Sequence, residues 1–336
     1  TDSISGATTI DIGNAATGTI TLSGAEYNSS GAQTFTGAAF SLGGADVTFA
    51  TSDDAVEFAA STGQGGDVTL ADISDLTINS GSGGITFGGD ILGTDSGVST
   101  DVTLNSSGAV SVKSIGANGS TADGNINDVT IDGGTITLNG TIATAVLGGS
   151  GGSASTDLGV VDINGAVTLG GATTIDTSAT GNNAGIDFSS TINGAKALVI
   201  KSGSGAVNVT AAIGAQTALS SLDINGTSGT GTIEVNDIGT SSDSGVTGLT
   251  VLGNANTSSL TTDGTNYDFG GGITIGPDYT MVGSPLASSF TTAGNVSFLG
   301  NVTVDGTLTV NTSGGNISIA GNISSTGKDE VVSLSD

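Results

Sequence analysis

The sequence predicts an all-β chain, a right-handed parallel β-helix with essentially no α-helix, and three observations lead there. Apolar residues recur as i, i+2 pairs throughout, 59 glycines and abundant Ser, Thr and Asn separate the pairs, and whole segments repeat at fixed offsets.

The pairs define the strands. Val102/Leu104, Val110/Val112, Val129/Ile131, Ile136/Leu138, Val161/Ile163, Val167/Leu169, Val207/Val209, Ile273/Ile275 and Val302/Val304 alternate at period two, which puts both members of a pair on one face of a short strand. Apolar residues at helical spacing are not sustained anywhere, and a glycine inside a helix costs roughly 1 kcal/mol relative to alanine.

The repeats define the architecture. Residues 76 to 91, LTINSGSGGITFGGDI, align without a gap on residues 198 to 213, with Leu76 on Leu198, Ile78 on Ile200, Ser80 to Gly83 on Ser202 to Gly205, and Ile91 on Ile213. They align again near the end of the sequence, with Leu76 on Leu308, Asn79 on Asn311, Gly83 on Gly315, Ile85 on Ile317 and Ile91 on Ile323. LGVVDING at 158 to 165 is echoed by ALSSLDING at 218 to 226. Leading pairs at 76, 102, 129 and 161, then 198, 222 and 249, set a unit that holds about three short strands. Meandering sandwiches favour two-residue turns and strands of about five to six residues, so strands this short with Gly/Ser corners suit a solenoid. About thirteen coils at roughly 4.8 Å each would make residues 1–336 a single elongated solenoid about 60 Å long, a segment or processed subunit of a longer chain.

In this frame Ser80 to Gly83 is a corner. A phosphate loop would need a following helix, and the sequence offers none. Asn79, Asn105, Asn164, Asn225 and Asn311 each follow an apolar pair directly, and stacked coil on coil such amides could hydrogen-bond as a turn-asparagine ladder.

Composition restricts the function. The net charge is -27, the only cations are Lys113, Lys196, Lys201 and Lys328, and Cys, Trp, His and Arg are absent. A chain so poor in cations lacks the footprint of a nucleic-acid binder and is repelled by anionic membrane. Without cysteine there is no disulfide and no thiolate metal site, and no apolar run is long enough to cross a membrane as a helix. The acids are mainly Asp, which favours turns, so the charge is expected at corners.

Motifs for chemistry are sparse. GGSGG at Gly148 to Gly152 matches a nucleophile elbow around Ser150, but a serine nucleophile of that kind needs a histidine base. Asp53/Asp54 and the group Asp90, Asp95 and Asp101 could act as acids and bases in a groove, as in pectin-cleaving β-helices, yet those enzymes generally need cations that this chain nearly lacks. The expectation is no enzyme and no cofactor. Weak Ca²⁺ binding at Asp-rich corners stays open beside the reading of solvated charge. TIT at 19 to 21 and 135 to 137 and TFT at 34 to 36 hint at an ice-binding face, but they do not recur at one position of every coil.

SGAQTFTGAAFSL at 30 to 42, LTINSGSGGITFGGDI and AGNVSFLGNVTVDGTLTV at 293 to 310 resemble the bacterial β-strand-repeat proteins, giant secreted chains akin in style to filamentous-haemagglutinin adhesins and autotransporter passengers. The resemblance lies in repeat grammar and transfers no catalytic residue. It implies a β-solenoid outside the cell, used for adhesion, aggregation or a surface fibre. The leading expectation is therefore a cell-surface filament subunit whose partners are other copies of itself, head to tail. The alternatives are a stalk or adhesin segment that binds cell-surface or glycan ligands through loops such as 143 to 157 or 239 to 260, and an enzyme on polysaccharide.

Overall fold

A computed structural model describes residues 3–43, 46–71, 74–94, 100–116, 126–144, 159–178, 184–240, 242–281, 287–326 and 330–336. The described residues contain strands, turns and bends and no helix. The strands pair in parallel and stack as a β-solenoid of about twelve turns, close to the expected thirteen. The chain divides into two compact units, Thr1–Ala166 with Ala179–Asn182 and Val167–Ser178 with Asn183–Asp336.

In the first unit three rows of strands rise together. One row holds Ile4–Ala7, Glu26–Ser29, Val47–Ala50, Leu76–Asn79, Val102–Asn105 and the opening half of Val129–Leu138, each paired on the next, in register except for a shift between Ile4 and Ala7. A second holds Ile10–Gly13, Gln33–Gly37, Val56–Ala60, Ile85–Phe87, Ala109–Val112 and the closing half of Val129–Leu138. The third runs from Thr19–Leu22 through Ala39–Leu42 and Asp67–Leu70 to Ile91–Gly93, and single bridges continue it to Ile115 and Ile142.

The second unit repeats the scheme. Ile186–Phe188 begins a row that ends at Val302–Val304 and Ile323–Ser325. Thr173–Asp176 begins one that ends at Ile317–Ile319. The remaining row closes with Asn266–Phe269, Ala287–Thr292, Thr307–Thr312 and Val331–Ser335.

Alternation along each strand sends one side chain of every two into a narrow core, so Leu76 and Ile78 are fully buried while Thr77 and Asn79 face outward. In-register parallel stacking then places like on like. Phe35, Phe58 and Phe87 form a column with centroid spacings of 5.0 Å at each step, and Tyr27 lies on Phe49, also at 5.0 Å. In the second unit Tyr267 lies on Phe290 at 4.8 Å. Tyr27 and Tyr267 each reach back three residues, so that the N–H of Gly24 and of Gly264 donates to the buried phenol oxygen at 3.0 and 2.8 Å. Burial pushes up the pKa of the phenol in Tyr267 and in Tyr279, the latter to about 12.

The repeated corners fold alike. Ser80 Oγ donates to the Gly83 carbonyl at 2.6 Å while the Gly83 N–H donates to the Ser80 carbonyl, and Ser202 with Gly205 makes the same two bonds. Gly81 and Gly203 take φ of 60° and 61°, a left-handed conformation that favours glycine. The stretch 239 to 260 departs from the expected loop. It holds the strand Thr250–Leu252 and the start of Ser259–Thr262, and Val246 bridges Leu219 and Phe269, so its polar residues sit at corners.

Candidate functional site

The outer face of Val47–Ala50, Leu76–Asn79, Val102–Asn105 and the first half of Val129–Leu138 carries the most regular polar array in the first unit. Register places Thr48, Thr77, Thr103 and Thr130 in one row, and Ala50, Asn79, Asn105 and Asp132 in the next. Threonine is β-branched and stiff at χ1, so such a row is a fixed file of hydroxyls and methyls at one strand spacing, about 4.8 Å. These four threonines lie outside the TIT and TFT tripeptides.

At the end of this face Asn79, Gly81, Asn105, Ser106, Ser107 and Asp132 line an open depression of about 520 Å³. Asn105 Nδ2 donates to Asn79 Oδ1 at 2.9 Å, one rung of amide on amide. Ser107 N–H and Oγ both donate to the Gly81 carbonyl, at 2.7 and 3.2 Å, and Ser106 Oγ donates to the Gly83 carbonyl at 2.5 Å. The serines thus hold the corner, and the amides and the Asp132 carboxylate are the groups that could meet a hydroxyl-rich ligand.

The other asparagines are placed differently. Asn164 is exposed on Val161–Leu169. Asn311 is exposed between Thr291 and Ser335, on a row other than that of Asn225. Asn225 is buried at φ 54°, accepts from the Ser202 N–H and donates to Ser202 Oγ, both at 2.9 Å, and so clamps the corner of the neighbouring coil. The structure pairs Asn79 with Asn105 and does not join the five in one ladder, because following an apolar pair fixes a position along a strand and not the row.

Aspartates supply a second device that the sequence reading missed. Asp46, Asp75, Asp101 and Asp128 each precede the first strand of a coil. Asp46 Oδ1 accepts from the Asp75 N–H at 3.4 Å, Asp75 Oδ1 from Asp101 at 2.9 Å, Asp101 Oδ1 from Asp128 at 3.0 Å, and Asp128 Oδ1 from Val160 at 2.8 Å. Elsewhere Asp67 accepts from the Asp90 N–H, Asp278 from that of Asn301, and Asp237 from those of Thr265 and Asn266. A carboxylate at a corner therefore replaces the ladder bond that the turning backbone cannot make.

Stacking like charges has a cost, and Asp75 bears it. Burial raises its pKa above 3.8, the Asp101 N–H opposes this, and the charges of Asp101 and Asp46 add to the rise. A carboxyl whose folded pKa exceeds its unfolded one gives its full stability contribution below pH 3.8 and loses it as pH rises through the folded value. Asp75→Asn keeps an oxygen for the Asp101 N–H and removes the charge. It is expected to raise the melting temperature at pH 7, with the gain vanishing at pH 3; a variant less stable than the parent at pH 7 would contradict this. Exposed Asp278 goes the other way, its pKa held down by the N–H and side-chain amide of Asn301.

The remaining candidates take structural roles or fall outside the description. Asp53 Oδ1 accepts from Ser82 N–H and Oγ, both at 3.1 Å, and the Asp54 carbonyl accepts from Thr51 Oγ1. Lys113 Nζ lies 3.5 Å from Asp90, and Lys201 Nζ lies 3.7 Å from Asp176. Ser150, Asp95 and most of the loop 143 to 157 lie outside the described residues. Among the described residues no group of three or more acids is arranged to hold a metal ion.

Compared with known proteins, the chain matches no family model, no curated protein and no solved structure.

Proposed function

We propose that the chain is a structural protein of the cell surface, the subunit of an extracellular filament assembled head to tail. The observation that carries this reading is the parallel, in-register stack itself, strand on strand with like side chains inward in both units. A solenoid of this kind grows by adding strand to strand, and a head-to-tail contact between copies does not close on itself, so it generates fibres. The likeness in repeat grammar to secreted β-strand-repeat chains supports the location outside the cell, and the use of Asp53, Asp90 and Asp101 in corner bonds and an ion pair supports a role without catalysis.

The acidic outer surface keeps neighbouring filaments apart unless cations bridge them. Millimolar Ca²⁺ is expected to increase light scattering through lateral bundling, and EDTA to reverse it; scattering that ignores both would count against the reading.

A second reading, an adhesin segment, is favoured by the Asn79–Asn105–Asp132 depression, whose amides and carboxylate suit a glycan. Sedimentation separates the two: an adhesin segment stays a monomer at concentrations where a filament subunit grows.

A further inference from the structure

One outer face of the second unit carries no charge. On the row that begins at Thr173–Asp176 the lower strands point Asp176, Lys201 and Asp223 outward. From Thr250–Leu252 through Ile273–Ile275 to Val296–Phe298 the charge stops, and the outward positions are Leu249, Val251, Thr274, Asn295, Ser297 and Leu299. The other two rows of this unit carry carboxylates outward, Asp187 and Glu234 on one and Asp268 on the other.

Two further observations mark the same face. Its corner rung is made by a neutral side chain: Asn295 Oδ1 accepts from the Asn316 N–H at 2.9 Å, the bond that Asp278 and Asp237 make with a carboxylate at the corners of the other two rows. Leu249 and Leu299 are 59% and 47% exposed although their strands lie in the middle of the stack. Thr250–Leu252 is paired on both sides, with Ser221–Ile224 and Ile273–Ile275, and Val296–Phe298 is paired with Ile273–Ile275 and Ile317–Ile319. Their apolar side chains are therefore held against water by the strand's alternation, at a cost in free energy that contact with another apolar surface would remove.

We propose that this face packs against the same face of a second copy of the chain. Charge selects that occupant. A cationic partner would be drawn to the carboxylates of the other faces, whereas two copies with a net charge of -27 each repel one another least where neither carries charge. Sheets packed face to face lie about 10 Å apart, which takes Leu249, Val251 and Leu299 out of water against the other copy. Contact of a face with its equal has two-fold symmetry and stops at a pair. The inference does not rest on the filament reading. Within a filament the same contact would join two stacks side by side, without the divalent cations that the acidic faces need.

Sedimentation velocity and electron microscopy of the 336-residue chain in EDTA test this. The expected result is pairs of chains or, where the chain grows into fibres, fibres two chains wide. Thr274→Glu sets a carboxylate between Val251 and Ser297, and is expected to weaken the pairing by roughly tenfold or more, because like charges then meet across the contact. Leu249→Asn removes apolar area at an exposed position that the fold does not need, and is expected to weaken pairing as well. Ser289→Glu adds the same charge on another row, between Asn266 and Thr309, and is expected to leave pairing unchanged. Single chains or fibres one chain wide from the unsubstituted chain would overturn the inference. So would pairs that survive both Thr274→Glu and Leu249→Asn, or that Ser289→Glu disrupts equally. Pairs that never lengthen would support this contact and remove the filament reading.

Discussion

Phe58→Ala is expected to remove about 3–5 kcal/mol of stability. Phe58 is fully buried, with Phe35 stacked on one face and Phe87 on the other at 5.0 Å each, and with Phe40 and Phe49 edge-on at 5.2 Å. Removing the central ring costs its transfer free energy and opens a cavity. The core cannot close over that cavity, because Val56–Ala60 is hydrogen-bonded to a parallel strand on each side, Gln33–Gly37 and Ile85–Phe87, which fixes the coil spacing. Coils interact with their nearest neighbours, so the loss is expected in the unfolding of the first unit. Urea denaturation checks this, with Phe58→Leu expected to cost less. A loss below about 1 kcal/mol for Phe58→Ala would mean that the column is not packed as described.

Gly83→Ala is the second large effect, and it acts through the backbone. A methyl group at Gly83 would lie 2.1 Å from the Asp54 carbonyl carbon, 2.2 Å from its oxygen and 2.7 Å from the Ala55 nitrogen, all on the coil beneath. Main-chain atoms held by strand pairing on both sides cannot move aside cheaply, so the corner has to lift and strain the bonds between Ser80 and Gly83. A cost of about 2–3 kcal/mol is expected. Gly18→Ala is the control, since a methyl there meets nothing within 4 Å, and it is expected to stay within about 0.5 kcal/mol of the parent. Equal effects at the two positions would contradict the close stacking of the Gly83 corner.

The strands were legible in the sequence because alternation survives at every coil: Leu76/Ile78 and Val102/Leu104 are buried pairs on adjacent strands. The Ser80 to Gly83 corner was legible from its copy at Ser202 to Gly205, since both the serine and the glycine are needed to close it. The aspartate rungs were not. Asp46, Asp75, Asp101 and Asp128 follow one another at intervals of 29, 26 and 27 residues, and insertions at the corners change the interval without disturbing the strands. The same variation hid the Phe35–Phe58–Phe87 column and the Thr48–Thr77–Thr103–Thr130 row. It also explains the scatter of the asparagines, of which Asn225 serves a corner clamp that no periodicity announces.

Stability in this chain comes from parallel strands stacked in register with apolar side chains inward. Interior coils are covered on both sides, as Val56–Ala60 is by Gln33–Gly37 and Ile85–Phe87. The filament reading proposed above extends this stacking from coil on coil to copy on copy.

Electron microscopy of the 336-residue chain at neutral pH, across a concentration series, tests that reading most directly. Unbranched fibres that lengthen with concentration, and that are lost when Val332 and Leu334 are replaced by lysine, are the predicted result. Discrete particles of one chain each at every concentration would contradict it.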